Sequence, residues 1–264
     1  MIKQTVLTKG TMNKRLLDAS AYDTDKARHE HYLRRYEEYL QPLLDKDIRL
    51  LELGVYRGGS LELWRDYFDR GLIVGLDLNP VTINDPGGRI RVYEGAQQDQ
   101  ELLDRIGCET APEGFDIIID DCSHIGELTR ISFWHLFDNH LKRGGLFVIE
   151  DWSASYWDSW FDGVAFSYQP SLKFSPTLFR LRSLVSKFQR GTPIPNAFWR
   201  GMKRLINYGQ FHSHNHGLVG FIKELVDECG MADITRPDRG TPPFRTSKFK
   251  EMRILPGQVF IIKA

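Results

Sequence analysis

Four short stretches of this chain are apolar at nearly every position and stop at a carboxylate or just before a glycine: residues 48–53, 72–77, 115–120 and 145–150. A strand that is apolar on both faces has to be covered on both. Between these runs, residues 61–68 and 127–141 carry apolar side chains at helical spacing. Buried strands alternating with helices define an α/β fold, a Rossmann-like, doubly wound and mostly parallel sheet. A further strand, third in chain order and weaker in pattern, is expected over 89–93. The chain ends differently, because residues 252–255 and 259–262 flank Pro256-Gly257-Gln258 as the arms of an antiparallel hairpin would.

With 264 residues, 41% of them hydrophobic, the chain is long enough for one such domain. We read 1–46 as an N-terminal helical segment with a helix over 27–44, and 47–152 as the core. Residues 153–216 form an inserted helical region or lid, and 217–264 a closing helix and hairpin. A formal net charge of +0 argues against a surface built throughout for nucleic acid. Cys108, Cys122 and Cys229 form no Cys-x-x-Cys pair, so neither a disulfide framework nor a zinc ribbon is expected, and a reducing cytoplasm is the simplest setting. Residues 1–10 lack the apolar run of a signal peptide, and no stretch approaches the roughly 20 apolar residues that span a bilayer.

Open α/β sheets bind ligands beyond the carboxyl ends of their strands, beside the first strand. The loop there reads Glu52-Leu53-Gly54-Val55-Tyr56-Arg57-Gly58-Gly59-Ser60. Gly54 and Gly58 allow close approach of a ligand and, before Ser60, a sharp turn into a helix at Leu61. The spacing departs from the Gly-x-Gly-x-x-Gly of dinucleotide sites. Glu52 suits a cationic amino-acid portion better than a phosphate, and Asp77, ending the second strand, is placed to accept from both ribose hydroxyls. Together they favour S-adenosylmethionine (SAM) over NAD. Gln97 is a candidate adenine contact and Asp120 a further cofactor-side residue. The plain alternatives are a tight turn and a solvated glutamine.

The fourth strand ends in Asp120-Asp121-Cys122-Ser123-His124 and the fifth in Glu150-Asp151-Trp152. One crossover of about 30 residues separates them, the length of a βαβ unit, so the two strands are expected to be neighbours. Asp121, Glu150 and Asp151 would then converge and repel one another without a cation. Oxygen-only ligation suits Mg²⁺. His124, directly after these residues, is a candidate general base, since imidazole changes charge in the physiological range. The alternative is a set of capping and solvated loop residues.

These residues resemble the metal-dependent sugar O-methyltransferases of macrolide biosynthesis, which are class I SAM-dependent methyltransferases. The similar elements are Thr24-Asp25-Lys26, His31-Tyr32, Tyr36, Glu52-Leu53-Gly54 with Gly58-Gly59-Ser60-Leu61, Trp64, Asp120-Asp121-x-Ser123-His124 and Ser132-Phe133. Leu136-Phe137, Gly144-Gly145, Val148-Ile149-Glu150-Asp151 and Pro256-Gly257 complete them. The resemblance implies Mg²⁺ on Asp121, Glu150 and Asp151, His124 as base, and a glycosidic hydroxyl as acceptor. Cys122 stands where the family pattern has glycine. The insert has no counterpart in that pattern.

Between Gly163 and Lys223 there is no Asp or Glu, while arginine and lysine accumulate on two amphipathic stretches within 172–206. Such stretches suit a lid packed on the core, an anionic membrane surface or an anionic substrate. Single-stranded nucleic acid ranks well below these. His212, His214 and His216 would share one face of a strand and could bind zinc, although polar loop residues explain them as well. A homo-oligomer is expected. The remaining function classes are methylation of a non-sugar small molecule or a lipid-linked substrate, and a non-catalytic SAM-fold module that binds a membrane or partner.

Overall fold

A computed structural model describes residues 19–28, 30–157, 160–165, 213–231 and 245–264. Among them, seven strands form one sheet in the order β3-β2-β1-β4-β5-β7-β6. They are β1 (Ile48–Leu53), β2 (Gly71–Asp77), β3 (Ile90–Glu94), β4 (Phe115–Asp120), β5 (Leu141–Glu150), β6 (Phe249–Leu255) and β7 (Gln258–Lys263). The first five pair in parallel, and β7 lies antiparallel between β5 and β6. The expected strands are all present. β5 starts at Leu141 rather than 145 because Lys142, Arg143 and Gly144 continue the strand past the covered core. β3 is a partly exposed edge strand, which accounts for its weak apolar pattern.

Six α-helices are described: α1 (Glu30–Leu40), α2 (Gly59–Tyr67), α3 (Gln100–Thr110), α4 (Gly126–Asn139), α5 (Phe161–Ala165) and α6 (Gly217–Cys229). The helix expected over 27–44 is divided. It begins as the 3-10 turn Asp25–Arg28, becomes α1, and ends as the 3-10 turn Gln41–Leu43, where Pro42 can donate no hydrogen bond to a continuing helix. The stretch that becomes α3 carried no expectation. Its signal is present nonetheless, since Asp99 caps it by accepting from Leu102 N (3.1 Å) and Leu102, Leu103 and Ile106 form its buried stripe.

The two faces of the sheet are covered separately. On one, Leu33, Tyr36 and Leu40 of α1 and Leu61, Trp64 and Tyr67 of α2 pack against Leu50, Ile117, Ile119 and Val148. On the other, α3, α4 and α6 contribute Leu103, Ile106, Phe133, Phe137, Phe221 and Leu225 over Leu51, Leu53, Ile118 and Phe147. Membership alternates along the strands, as the period of two requires, except across the bulges at Phe115/Ile117 of β4 and Phe249/Glu251 of β6.

The inserted region opens with the 3-10 turn Trp152–Tyr156 and then α5. Buried Asp162 of α5 uses one oxygen, Oδ2, to accept from Gly126 N (2.9 Å), Leu218 N (2.7 Å) and the Ser155 hydroxyl (3.0 Å). One carboxylate thus satisfies the first turns of α4 and α6 together. Two glycines permit this approach, since a Cβ on Gly126 would meet the Gly217 carbonyl carbon at 2.1 Å. The amphipathic stretches expected within 172–206 lie outside the described residues. No helix among the described residues is long and apolar enough to cross a membrane.

Candidate active site

Register places the site. Leu76, Leu53, Asp120 and Ile149 stand in one row across β2, β1, β4 and β5, so Asp77, Gly54, Asp121 and Glu150 form the next row, at the carboxyl rim. Parity then sorts the acids. Glu52, Asp121 and Glu150 lie in step with Leu50, Ile119 and Val148, on the face covered by α1 and α2. Asp120 lies in step with Ile118, on the opposite face beneath α4.

On the α1 side, three carboxylates surround one ammonium. Lys26, in the 3-10 turn Asp25–Arg28, is 2% exposed and brings Nζ to 2.5 Å from Asp121 Oδ2, 3.1 Å from Glu150 Oε2 and 3.2 Å from Glu52 Oε1. The last contact is an ion pair, and Glu52 Oε1 accepts no hydrogen bond among the described residues. Ser60 Oγ donates to Glu52 Oε2 at 2.7 Å. Tyr32 donates to Glu150 Oε2 at 2.8 Å, and Tyr36 makes a short hydrogen bond to Oε1. Burial pushes Asp121 and Glu150 up to about 7 each, against the opposing pull of Lys26. Burial alone would depress the lysine, but Asp121, Glu150 and Glu52 hold it well above its ordinary value.

His124 and Asp151 complete the rim on the solvent side. His124 Nε2 lies 3.9 Å from Asp121 Oδ1 and 4.0 Å from Asp151 Oδ2, close enough to share a small ligand and too far for hydrogen bonds. Both residues have left-handed backbones, at φ 52 and φ 49, which turn their side chains off the strand ends. The terminal hairpin holds Asp151, whose N–H donates to Gly257 O at 2.7 Å. Trp152 Nε1 donates to Leu255 O at 2.7 Å beside it. Burial raises Asp151, with His124 opposing. Trp160 lies beside His124, ring centres 5.6 Å apart, and its indole N–H donates to Ser123 O.

A cavity of about 510 Å³ runs from this rim to the glycine loop, lined among others by Lys26, Gly54, Tyr56, Asp77, Gln97, Asp121, His124 and Asp151. Asp77 Oδ2 accepts from Val55 N (3.0 Å) and Tyr56 N (2.9 Å), so the carboxylate expected to meet the ribose also shapes the loop around it. Gly54, at φ 80, has to be glycine: a Cβ there would stand 2.3 Å from Asp121 O. Gly54→Ala is therefore expected to cost at least about 2 kcal/mol, from the left-handed backbone and the collision together, and to weaken S-adenosylhomocysteine binding. Denaturant titration and calorimetry would check both.

Several expected site residues are placed differently. Asp120, expected on the cofactor side, faces the core rather than the cavity because parity turns it away, and there it accepts from Gln97 Nε2 (3.2 Å), Ser132 Oγ (3.3 Å) and Cys122 N (3.3 Å). Gln97 is buried and spends its amide on Asp120 and on Ser123 N, so only part of it borders the cavity, and an adenine contact by its amide would have to break these bonds. Glu52 sits behind the cavity wall, satisfied by Ser60 and Lys26, so the expected contact with a cationic cofactor portion is replaced by one with Lys26. Gly58, at φ 86 as the N-cap of α2, shapes the turn beside Ile83 without lining the cavity. The Glu150 carboxylate meets Lys26, Tyr32 and Tyr36 and does not line the cavity with that of Asp151. The group of potential metal-ligating side chains on the cavity side is Asp121, His124 and Asp151, their ligand atoms within 4.8 Å of one another. His214 and His216 join no such group among the described residues, and His212 lies outside them.

Lys26, Tyr32 and Tyr36 meet the rim only through tertiary packing; Tyr32 and Tyr36 are legible locally as part of the apolar stripe of the helix over 27–44, and Lys26 only as part of the resemblance.

A seven-stranded sheet with the β7 hairpin arm inserted antiparallel, a glycine turn after β1 and acids after β2, β4 and β5 is the class I methyltransferase fold. No family model matches the chain. It is similar to mycinamicin VI 2''-O-methyltransferase of Micromonospora griseorubida, 38% identical over 179 residues, which are 65% of this chain and 43% of that protein. It is likewise similar to demethylmacrocin O-methyltransferase of Streptomyces fradiae, 37% identical over 166 residues, 60% of this chain and 39% of the relative. The chain thus spans less than half the length of these curated relatives. Among solved structures, MycE methyltransferase from the mycinamycin biosynthetic pathway in complex with Mg, SAH and mycinamycin VI matches at TM-score 0.62 and 28% identity, covering 95% of this chain and 54% of that one.

Proposed function

We propose that this chain transfers a methyl group from SAM to a hydroxyl of a sugar carried on a small molecule. The observation that carries this reading is the shared cavity: His124 Nε2, Asp121 Oδ1 and Asp151 Oδ2 converge at one end of it, and Asp77 with the glycine loop borders the other. The similarity to sugar O-methyltransferases and to a structure holding Mg and SAH supports the same reading.

In this scheme Asp77 and the amides it orders seat the nucleoside. Asp121 and Asp151 fit a hard divalent ion, since both offer carboxylate oxygens to the cavity and burial has already made their charges costly. Such an ion, when bound, would acidify and orient an adjacent hydroxyl. His124 Nε2 takes the hydroxyl proton as the oxygen attacks the methyl carbon; the carbon–sulfur bond breaks and the sulfonium becomes the neutral thioether of SAH. Lys26 and the tyrosines hold Glu52 and Glu150 behind the reacting atoms.

The test is transfer of labelled methyl from SAM to a panel of demethylated deoxysugar glycosides and to their aglycones. Transfer to glycosides only, abolished by EDTA and restored by Mg²⁺, is expected; transfer to aglycones instead would overturn the acceptor. Mg²⁺ affinity should also rise with pH. Asp121 near 7 holds a proton that a cation must displace, so binding is weak at pH 6 and strengthens as pH passes 7 toward 8. Calorimetry in buffers of different ionisation enthalpy would read the released proton; a pH-independent affinity would remove Asp121 from the site.

We also assign the basic stretch 172–206 to contact with an anionic surface at the cytoplasmic face of a membrane, tested by flotation with anionic and neutral vesicles. A homo-oligomer is part of this reading, and light scattering would measure it.

A further inference from the structure

Three metal-ligating side chains meet at a second place, remote from the carboxyl rim. His135, on α4, and His140, just past its end, place Nε2 2.8 Å and 2.7 Å from the same atom, Asp104 Oδ1 of α3. The three ligand atoms lie within 4.8 Å of one another. Both imidazoles are largely buried, at 11% and 13% side-chain exposure, whereas Asp104 is 55% exposed, so the rings are held and the carboxylate side is open to solvent. Gly107, one turn beyond Asp104, is what admits the His140 ring: a Cβ there would stand 2.3 Å from His140 Nδ1. The place is at the amino edge of the sheet, since His140 directly precedes β5 and its carbonyl accepts from Phe115 N at the start of β4.

We propose that Asp104, His135 and His140 form a binding site for a borderline divalent transition ion of the Zn²⁺ class, distinct from the carboxylate rim. Two neutral imidazoles and one carboxylate are a ligand set for such ions, with solvent completing the coordination, whereas an oxygen-only set is what Mg²⁺ prefers. The two places therefore sort two kinds of cation by ligand chemistry. In the ion-free arrangement each Nε2–H donates to Asp104. On binding, each imidazole carries its proton on Nδ1 and presents the Nε2 lone pair. Ligand atoms around zinc at about 2.0–2.1 Å stand roughly 3.3 Å apart, so the present contacts open by only about half an ångström. The bound ion ties α3 to α4 at the edge opposite the cavity.

The experiment titrates Co²⁺, as a spectroscopic substitute for Zn²⁺, into the full chain saturated with Mg²⁺ and SAH. One equivalent giving visible d–d absorption, displaced by Zn²⁺, is expected. The affinity should fall at least tenfold in His135→Asn and in His140→Asn, with SAH affinity unchanged as proof of folding, and should persist in Cys108→Ser and His214→Asn. If the spectrum is the same in His135→Asn and His140→Asn, or is lost in Cys108→Ser or His214→Asn instead, the trio is only a hydrogen-bonded group and the proposal fails. Zn²⁺ should also raise the melting temperature of the wild type and leave that of Asp104→Asn unmoved; an equal rise in both would overturn it independently.

Discussion

Lys26→Met is expected to destabilise the protein by about 3–5 kcal/mol at pH 8 in the absence of divalent ions, the range for removing one partner from a buried charge cluster. The variant leaves Glu52, Asp121 and Glu150 together with no ammonium among them. They then have to be protonated or matched by another cation. Because Asp121 and Glu150 are already raised to about 7, protonation is easy at pH 6 and increasingly costly above pH 7. The loss should therefore grow between pH 6 and pH 8. Guanidinium unfolding at the two pH values, with and without Mg²⁺, measures this directly. Mg²⁺ should recover part of the loss in the variant, since it supplies charge to the same acids. A variant as stable as wild type at pH 8 in EDTA would show that the lysine contributes no net compensation. Lys26→Arg is the control that separates charge from shape, because it retains the cation but not the compact point charge that fits among three carboxylates.

The second large effect concerns His124. Its replacement by alanine should lower kcat by 10²- to 10⁴-fold, the usual worth of a general base, while the affinity for SAH changes little. The imidazole stands 3.9 Å and 4.0 Å from Asp121 and Asp151, bonded to neither, so removing it leaves no broken hydrogen bond to them. It does leave alanine in a left-handed conformation, at φ 52. His124→Asn avoids that strain, because asparagine tolerates this region, and should show the same loss of turnover. Steady-state kinetics with a methylated glycoside as product would distinguish the cases. Full turnover in the asparagine variant would end the assignment of the base, whereas a raised KM with unchanged kcat would make His124 a binding group.

Much of the framework was legible because strands buried on both faces write themselves as continuous apolar runs; β1, β2, β4 and β5 needed no more than that. Helix α3 is written differently from the strands, in a short cap and stripe, Asp99 with Leu102, Leu103 and Ile106, rather than in a continuous apolar run. The convergence of Asp121, His124 and Asp151 at one rim was readable from their position after β4 and β5. Asp120 differs from them by parity alone: Ile117, Ile119 and Asp121 share one face, Ile118 and Asp120 the other. Lys26 is of another kind. It lies 26 residues before Glu52 in the chain, and only the folding of α1 over the sheet brings it among the acids, so no local spacing could have paired it with them.

Asp162 has a consequence for how such a chain can diversify. Its single oxygen, on a helix early in the inserted region, grips the start of α4 in the core and the start of α6 just beyond the insert, so that the insert's entry and its exit are moored to one point. Whatever is spliced between them inherits fixed ends. Variation between them need not disturb the rim, because the tie is made by Gly126, Ser155, Asp162 and Leu218 alone.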